Sequence, residues 1–222
     1  DQLLHRRDEG IYSRTSPPAA VGSRHGQWSA LSLYCLGRYF QKDYPHPVWE
    51  QCVTSAQWHF APLHQHAWVS GENDNLFWYN TAIAPIFTYL LLTGDRQPIQ
   101  NGVVPALLRA QEMLVSGRQP DWALNSAAIT YLHQAAYLMQ DGRYIHYRQR
   151  TGVDTGVFRL GQSFWPEEHL APTPPDDLAG SWSIYALPQP LWQTRKSGLP
   201  LGESFQFGSF RTTADAGGDF IL

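Results

Sequence analysis

A change of rhythm in the hydrophobic pattern governs what this chain can fold into. Through about Gln140 the apolar residues recur every three or four positions, the spacing that keeps one face of an α-helix apolar. From about Gly152 the segments become short, aromatic and β-branched, and Pro and Gly interrupt them, as in strands joined by irregular links. The sequence therefore predicts a mainly α protein with a C-terminal β part. Its expected divisions are a helical portion over residues 1–151, then a linker and the start of a β-domain over residues 152–222.

After a loop-like opening that includes "SPPAAVGSRHG", helices are expected over about Gln27–Lys42, Pro47–His66, Asn75–Thr93, Pro98–Ser116 and Trp122–Gln140. The fourth shows its stripe plainly, in Val104, Leu107, Leu108, Gln111, Leu114 and Val115. "TGD", "SGRQPD" and "QDG" read as stops of the glycine type, and such short links make successive helices antiparallel neighbours. Pro85, inside the third helix, removes one backbone hydrogen bond and bends the axis. "SFQFGSFRTTADAGGDFIL" reads as a hairpin turning at "ADAGGD". Its second strand breaks off at Leu222, so a longer parent chain is expected, with a β-domain continuing beyond this one.

Charge narrows the partners. Only 16% of residues are charged and the net charge is −3, with no run of Lys and Arg to hold a phosphate backbone; no nucleic-acid partner is expected. The longest apolar run, Ile86–Leu92, is too short to span a bilayer. "DQLLHRRDEG" has no apolar stretch behind its charges, which leaves secreted, cytoplasmic and internal-fragment origins open. Cys35 and Cys52 read as buried free thiols. Neither a phosphate-binding loop, a dinucleotide fingerprint nor a nucleophile elbow occurs, and no cofactor is expected. Nine Trp, eleven Tyr and ten Phe suit either a Trp-rich core or a surface that stacks on sugar rings.

The densest chemistry lies in "GENDNLFWYN", where Glu72, Asn73, Asp74 and Asn75 precede the aromatic run. One such residue would cap the helix; four, followed by Trp78, Tyr79 and Asn80, exceed that need. Asn75 and Tyr79 are four apart, so an amide and a phenol share one helical face. In the fifth helix Leu124, Ala127, Ala128, Tyr131, Ala135 and Leu138 form an apolar stripe, while Ser126, Thr130, His133 and Tyr137 form an uncharged polar one. His133 is then either a catalytic base or a hydrogen-bonded core histidine. His59, His64 and His66 crowd around Pro62, but an H-x-H pair points to opposite sides of a helix and no carboxylate shares the turn. Sugar contact or surface placement fits them better than metal. Arg211 alternates with Phe210 along a strand and is either a bidentate carboxylate ligand or a surface arginine.

Helix pairs with "YLLLTGD"-like ends, a polar and aromatic motif opening an inner helix, and the abrupt change to strands resemble the (α/α) toroid followed by an antiparallel β-sandwich of polysaccharide lyases. The heparinase II/III-like and alginate-lyase families are the nearest in pattern, from about Gln27 onward. The resemblance implies an incomplete (α/α) toroid of antiparallel helix pairs followed by the start of an antiparallel β-sandwich. It also implies β-elimination on a uronic-acid-containing polysaccharide, an acidic polysaccharide or oligosaccharide as partner, and a secreted or periplasmic location. In those families an Asn near a helix start, often beside a His, neutralises the uronate carboxylate, and a Tyr, with or without a His, handles the proton. Carried onto this sequence, the catalytic set is Asn75, Tyr79 and His133, and the substrate-binding set is Glu72, Trp78, Asn80, Tyr131, His64 and Arg211. No His follows Asn75 here. That departure leaves open a toroidal glycoside hydrolase using Glu72, Asp74 or Asp121, or a carbohydrate-binding module without chemistry.

Overall fold

A computed structural model of the chain describes residues 15–18, 21–22, 24–65, 76–114, 126–150, 170–175, 182–185, 207–212 and 218–221. At 76–81, 109–111, 113–114, 126–130, 182–185 and 207–208 it describes the backbone alone. Among the described residues the protein is mainly helical, with a small antiparallel sheet near the C-terminus. Contacts divide it into two compact units, Asp1–Val103 and Val104–Leu222.

In the first unit α1 (Arg24–Asp43) is followed, after a three-residue link, by α2 (Pro47–Phe60). Proline at the first helical position has no N–H to leave orphaned. His46 precedes it, and its Nδ1 accepts from the Val48 N–H at 3.1 Å. The expected extension of α2 to His66 does not form: the helix tightens at Pro62 into a 3₁₀ turn, Ala61–His64, because proline cannot supply the next α-helical donor. Helix α3 (Leu76–Thr93) contains Pro85 as expected. It stops where the sequence places its stop, with Gly94 at φ 70° and its N–H on the Leu90 carbonyl at 2.9 Å. That left-handed cap satisfies a carbonyl the helix would leave open. Helix α1 packs on both α2 and α3, and Ala30, Leu31, Cys52, Phe60, Ile83, Ile86, Phe87 and Leu90 are buried. Each large side chain there contributes roughly 1.5–3 kcal/mol of hydrophobic stabilisation before entropy is counted.

The single helix expected from Pro98 to Ser116 is two. A one-turn α4 (Gln97–Gln100) breaks at Asn101–Gly102, where Gly102 has φ 85°. Asn101 then restarts the chain as α5 (Val103–Leu114), its Oδ1 accepting from the Val103 N–H at 3.1 Å.

In the second unit Val104, Leu107 and Leu108 of α5 are buried, as their stripe predicts. Helix α6 (Ser126–Met139) packs against α7 (Arg143–Arg150). The expectation that helix ends near Gln140 is corrected by α7, whose Tyr144, Ile145 and Tyr147 make a narrow apolar stripe among arginines. The stop in "QDG" is also built differently. Gln140, not the glycine, takes the left-handed conformation, at φ 54°. The Asp141 N–H reaches the Ala136 carbonyl at 3.2 Å and the Gln140 Nε2 donates to the Tyr137 carbonyl at 2.7 Å. Gly142 is needed for another reason: a Cβ there would collide with the Ala171 carbonyl oxygen. The segment 170–175 runs close against it, and the Thr173 N–H donates to the Gly142 carbonyl at 3.1 Å.

Strands β1 (Trp182–Tyr185), β2 (Phe207–Arg211) and β3 (Phe220–Ile221) form an antiparallel sheet in chain order. Trp182 pairs with Phe210, and Arg211 pairs with Phe220. The expected hairpin joins β2 to β3 and is closed by Thr212 N–H on the Asp219 carbonyl at 3.1 Å; residues 213–217 of its turn lie outside the described residues.

Candidate functional site

The described cleft with the most chemistry lies in the first unit, where the ends of α2 and α3 come together. It encloses about 390 Å³ and is lined by Gln57, Trp58, Phe60, His64, Tyr89 and Asp95, among others. Its floor is aromatic, with Phe60 and Tyr89 stacked at 4.1 Å between ring centres and Tyr34 edge-on to Tyr89 at 5.3 Å. Burial, then the neighbouring Tyr34 and Asp95, pushes the Tyr89 phenol well above its ordinary range, so it stays protonated and able to donate.

At the mouth, His64 Nε2 stands 2.7 Å from Asp95 Oδ2, both side chains partly exposed. The pair is fixed from several directions. Asn101 Nδ2 donates to the His64 carbonyl at 2.9 Å. Asp95 Oδ1 accepts from the Gln97 N–H in the first turn of α4 at 3.0 Å. The Asp95 N–H meets Thr93 Oγ1 at 3.3 Å. A neutral imidazole that gives its Nε2–H to a carboxylate presents Nδ1 as the proton acceptor. Chemically, the arrangement is an oriented base beside an aromatic wall, with the Gln57 amide on the same cleft.

Of the residues singled out in the sequence, His64 lines this cleft. Glu72 and Asn75 lie outside the described residues, as do Asp74, Asp121 and His66; Trp78, Tyr79 and Asn80 fall on the first turns of α3, with their side chains outside. The expected meeting of Asn75, Tyr79 and His133 on one surface therefore rests on side chains not described. His133 and Tyr131 belong to the second unit and are 2% and 0% exposed, the setting of core residues. Arg211 is also fully buried. Its Nη2 donates to the Glu112 carbonyl at 2.9 Å and to Ser209 Oγ at 3.1 Å, while Phe210 takes the exposed side of the strand. It is thus not a surface arginine. Cys52 is buried as expected but Cys35 is exposed, which corrects that reading; both are free thiols. His59 is buried, and no group of three metal-ligating side chains occurs among the described residues.

Asp95 escaped the sequence reading because it was absorbed into the helix stop "TGD". Its partner lies 31 positions earlier, a distance over which no local pattern operates. The available signal was an Asp just before a proline-containing helical turn, where a bond to the first-turn N–H and a second use of the carboxylate coincide. In comparisons with known proteins, no family model, no curated protein and no solved structure matches this chain.

Proposed function

We propose that this chain is a carbohydrate-active enzyme, or part of one, that cleaves a uronic-acid-containing polysaccharide by β-elimination in the cleft of the first unit. On this reading the helices belong to an incomplete (α/α) toroid and the strands begin an antiparallel β-sandwich. The observation that carries it is the His64–Asp95 pair at 2.7 Å on an aromatic-lined cleft. Removing the proton α to a uronate carboxylate needs a base, which His64 Nδ1 supplies once Asp95 holds the ring. Charge then builds on the carboxylate, and an amide donor such as Gln57 stabilises it. The protonated Tyr89 phenol can complete the proton economy at the leaving oxygen. Tyr79, implied with Asn75 by the lyase resemblance, lies on the first turn of the same helix. The ten residues from Tyr79 to Tyr89 span about 15 Å of it, so mutagenesis can tell the two assignments apart.

The test is incubation of the full chain with acidic and neutral polysaccharides, following both unsaturated-product absorbance and reducing ends. Unsaturated products from an acidic polymer are expected, and His64→Gln should lower turnover by about 10²–10⁴ while Tyr79→Phe and Asn75→Ala change it little. Loss in the latter two with His64→Gln unaffected would move the centre to the opening of α3. Reducing ends without unsaturation would replace the lyase by a hydrolase.

A further inference from the structure

Outside the cleft, the side chains where α1 turns into α2 form a second cluster with unused chemistry. Four aromatic rings meet at this corner. Phe40 stacks on Trp49 with ring centres 4.9 Å apart and planes 23° apart. Tyr39 stands edge-on to Phe40 at 5.1 Å, and Tyr44 lies 6.4 Å from it. A core cluster would hide such rings, but Tyr39 is 70% exposed and Tyr44 68%. Phe40 and Trp49 act as the rigid backing and the two tyrosines as the open faces. Beside them runs a groove of about 470 Å³ lined by Arg38, Gln41, Lys42, Glu50 and Val53. Arg38 and Lys42 are four apart on α1 and so share its face; both are exposed, and neither forms an ion pair among the described residues.

We infer that this corner binds an acidic oligosaccharide, a pyranose ring resting on Tyr39 or Tyr44 and its carboxylates meeting Arg38 and Lys42. A sugar ring has an apolar C–H face and a polar rim, which matches tyrosine's apolar body and polar tip. Aromatic and cationic side chains alternate here as Arg38, Tyr39, Lys42 and Tyr44, instead of merging into the contiguous apolar patch that a protein partner needs. Two cations are too few for a nucleic-acid backbone, whose affinity rests on many phosphate contacts. The site shares with the proposed function only its class of ligand. It requires no chemistry in the cleft, and binding can be read without turnover.

The experiment is calorimetric titration of the full chain carrying His64→Gln, which disables the proposed base, with a tetrameric alginate oligosaccharide and a neutral cello-oligosaccharide as probes. The alginate tetramer should bind with a salt-dependent affinity. Tyr39→Ala with Tyr44→Ala should weaken it by about tenfold or more, about 1.4 kcal/mol. Arg38→Gln with Lys42→Gln should flatten the salt dependence. All four positions are at the surface, so circular dichroism should show folded variants. Unchanged binding in the double tyrosine variant, or equal affinity for the neutral probe, would overturn the assignment. So would self-association that the tyrosine changes abolish, because the corner would then be a contact between copies. Absence of unsaturated products from the chain with His64 intact, together with binding at the corner, would sink the lyase reading alone.

Discussion

Arg211 in the second unit and Arg38 in the first carry the same guanidinium in opposite circumstances. Arg211 is fully buried, donating to the Glu112 carbonyl and Ser209 Oγ, with the Phe220 ring 5.8 Å away. Arg38 lies exposed in a groove. The contrast extends to their surroundings. Around Arg211, Asp141 is bound to Arg143 at 2.7 Å, and Glu112 approaches Arg143 at 3.7 Å. In the first unit the His64–Asp95 pair and the Tyr39–Tyr44 corner face solvent. Polar groups satisfied by the fold stabilise it, and those left facing water are where ligand chemistry is to be sought. Substitutions in the second unit should therefore change stability, and those at the open sites of the first should change binding.

Arg211→Ala should break the contrast hardest. Glu112 lies in the last turn of α5, where carbonyls have no partner inside the helix, and a buried cation there also favours the helix dipole. Its removal leaves an unsatisfied carbonyl and a void, and urea unfolding should show a loss of about 2–4 kcal/mol. An unchanged midpoint would mean that the buried guanidinium is not what ties strand β2 to α5. Gly142→Ala comes next, at about 1–3 kcal/mol by the same measurement, because its Cβ must displace the segment at Ala171.

The smallest effect sharpens the comparison through pH. Burial opposes ionisation of Asp141, but its hydrogen bonds from Arg143 prevail, and the carboxyl is held below its usual 3.8. Burial, then Arg150, holds the His146 imidazole below its usual 6.5. In both, the unfolded chain takes up protons more readily than the folded one, so their contributions are full above the unfolded values and shrink on acidification. Stability should fall first as pH drops below about 6.5 and again below about 3.8. Asp141→Asn should keep the helix cap, cost about 0.5–1 kcal/mol at neutral pH, and blunt only the second decline. Thermal unfolding across pH would read both steps, and an unaltered acid limb in that variant would remove Asp141 from the account.

The helices were legible because a period of three to four survives whatever packs on it, and Gly94 ended α3 where a left-handed cap was expected. Helix α7 was not, because Tyr144 and Tyr147 are a thin stripe among charges. The break at Asn101–Gly102 did carry a signal, an Asn-Gly pair inside an apolar pattern, which the strong stripe that follows it overrode. The site was less legible than the fold. His64 stood out by type, but its meaning depends on Asp95, and that pairing exists only in three dimensions. Arg211 shows the converse: alternation along a strand identified its side but not which side was covered.

The bond from Arg211 to the Glu112 carbonyl joins positions 99 apart, whereas the ties at the cleft, His64 to Asp95 and Asn101 to His64, span 31 and 37. Closing a longer loop demands more entropy before any contact compensates it, and contacts between distant positions slow the route to the native state. The strand-to-helix tie is therefore expected to form late in folding, and a φ-value near zero for Arg211→Ala in folding kinetics would show it. A contact absent from the transition state leaves the folding rate alone and governs how fast the fold comes apart. On that expectation Arg211 acts as the brake on unfolding.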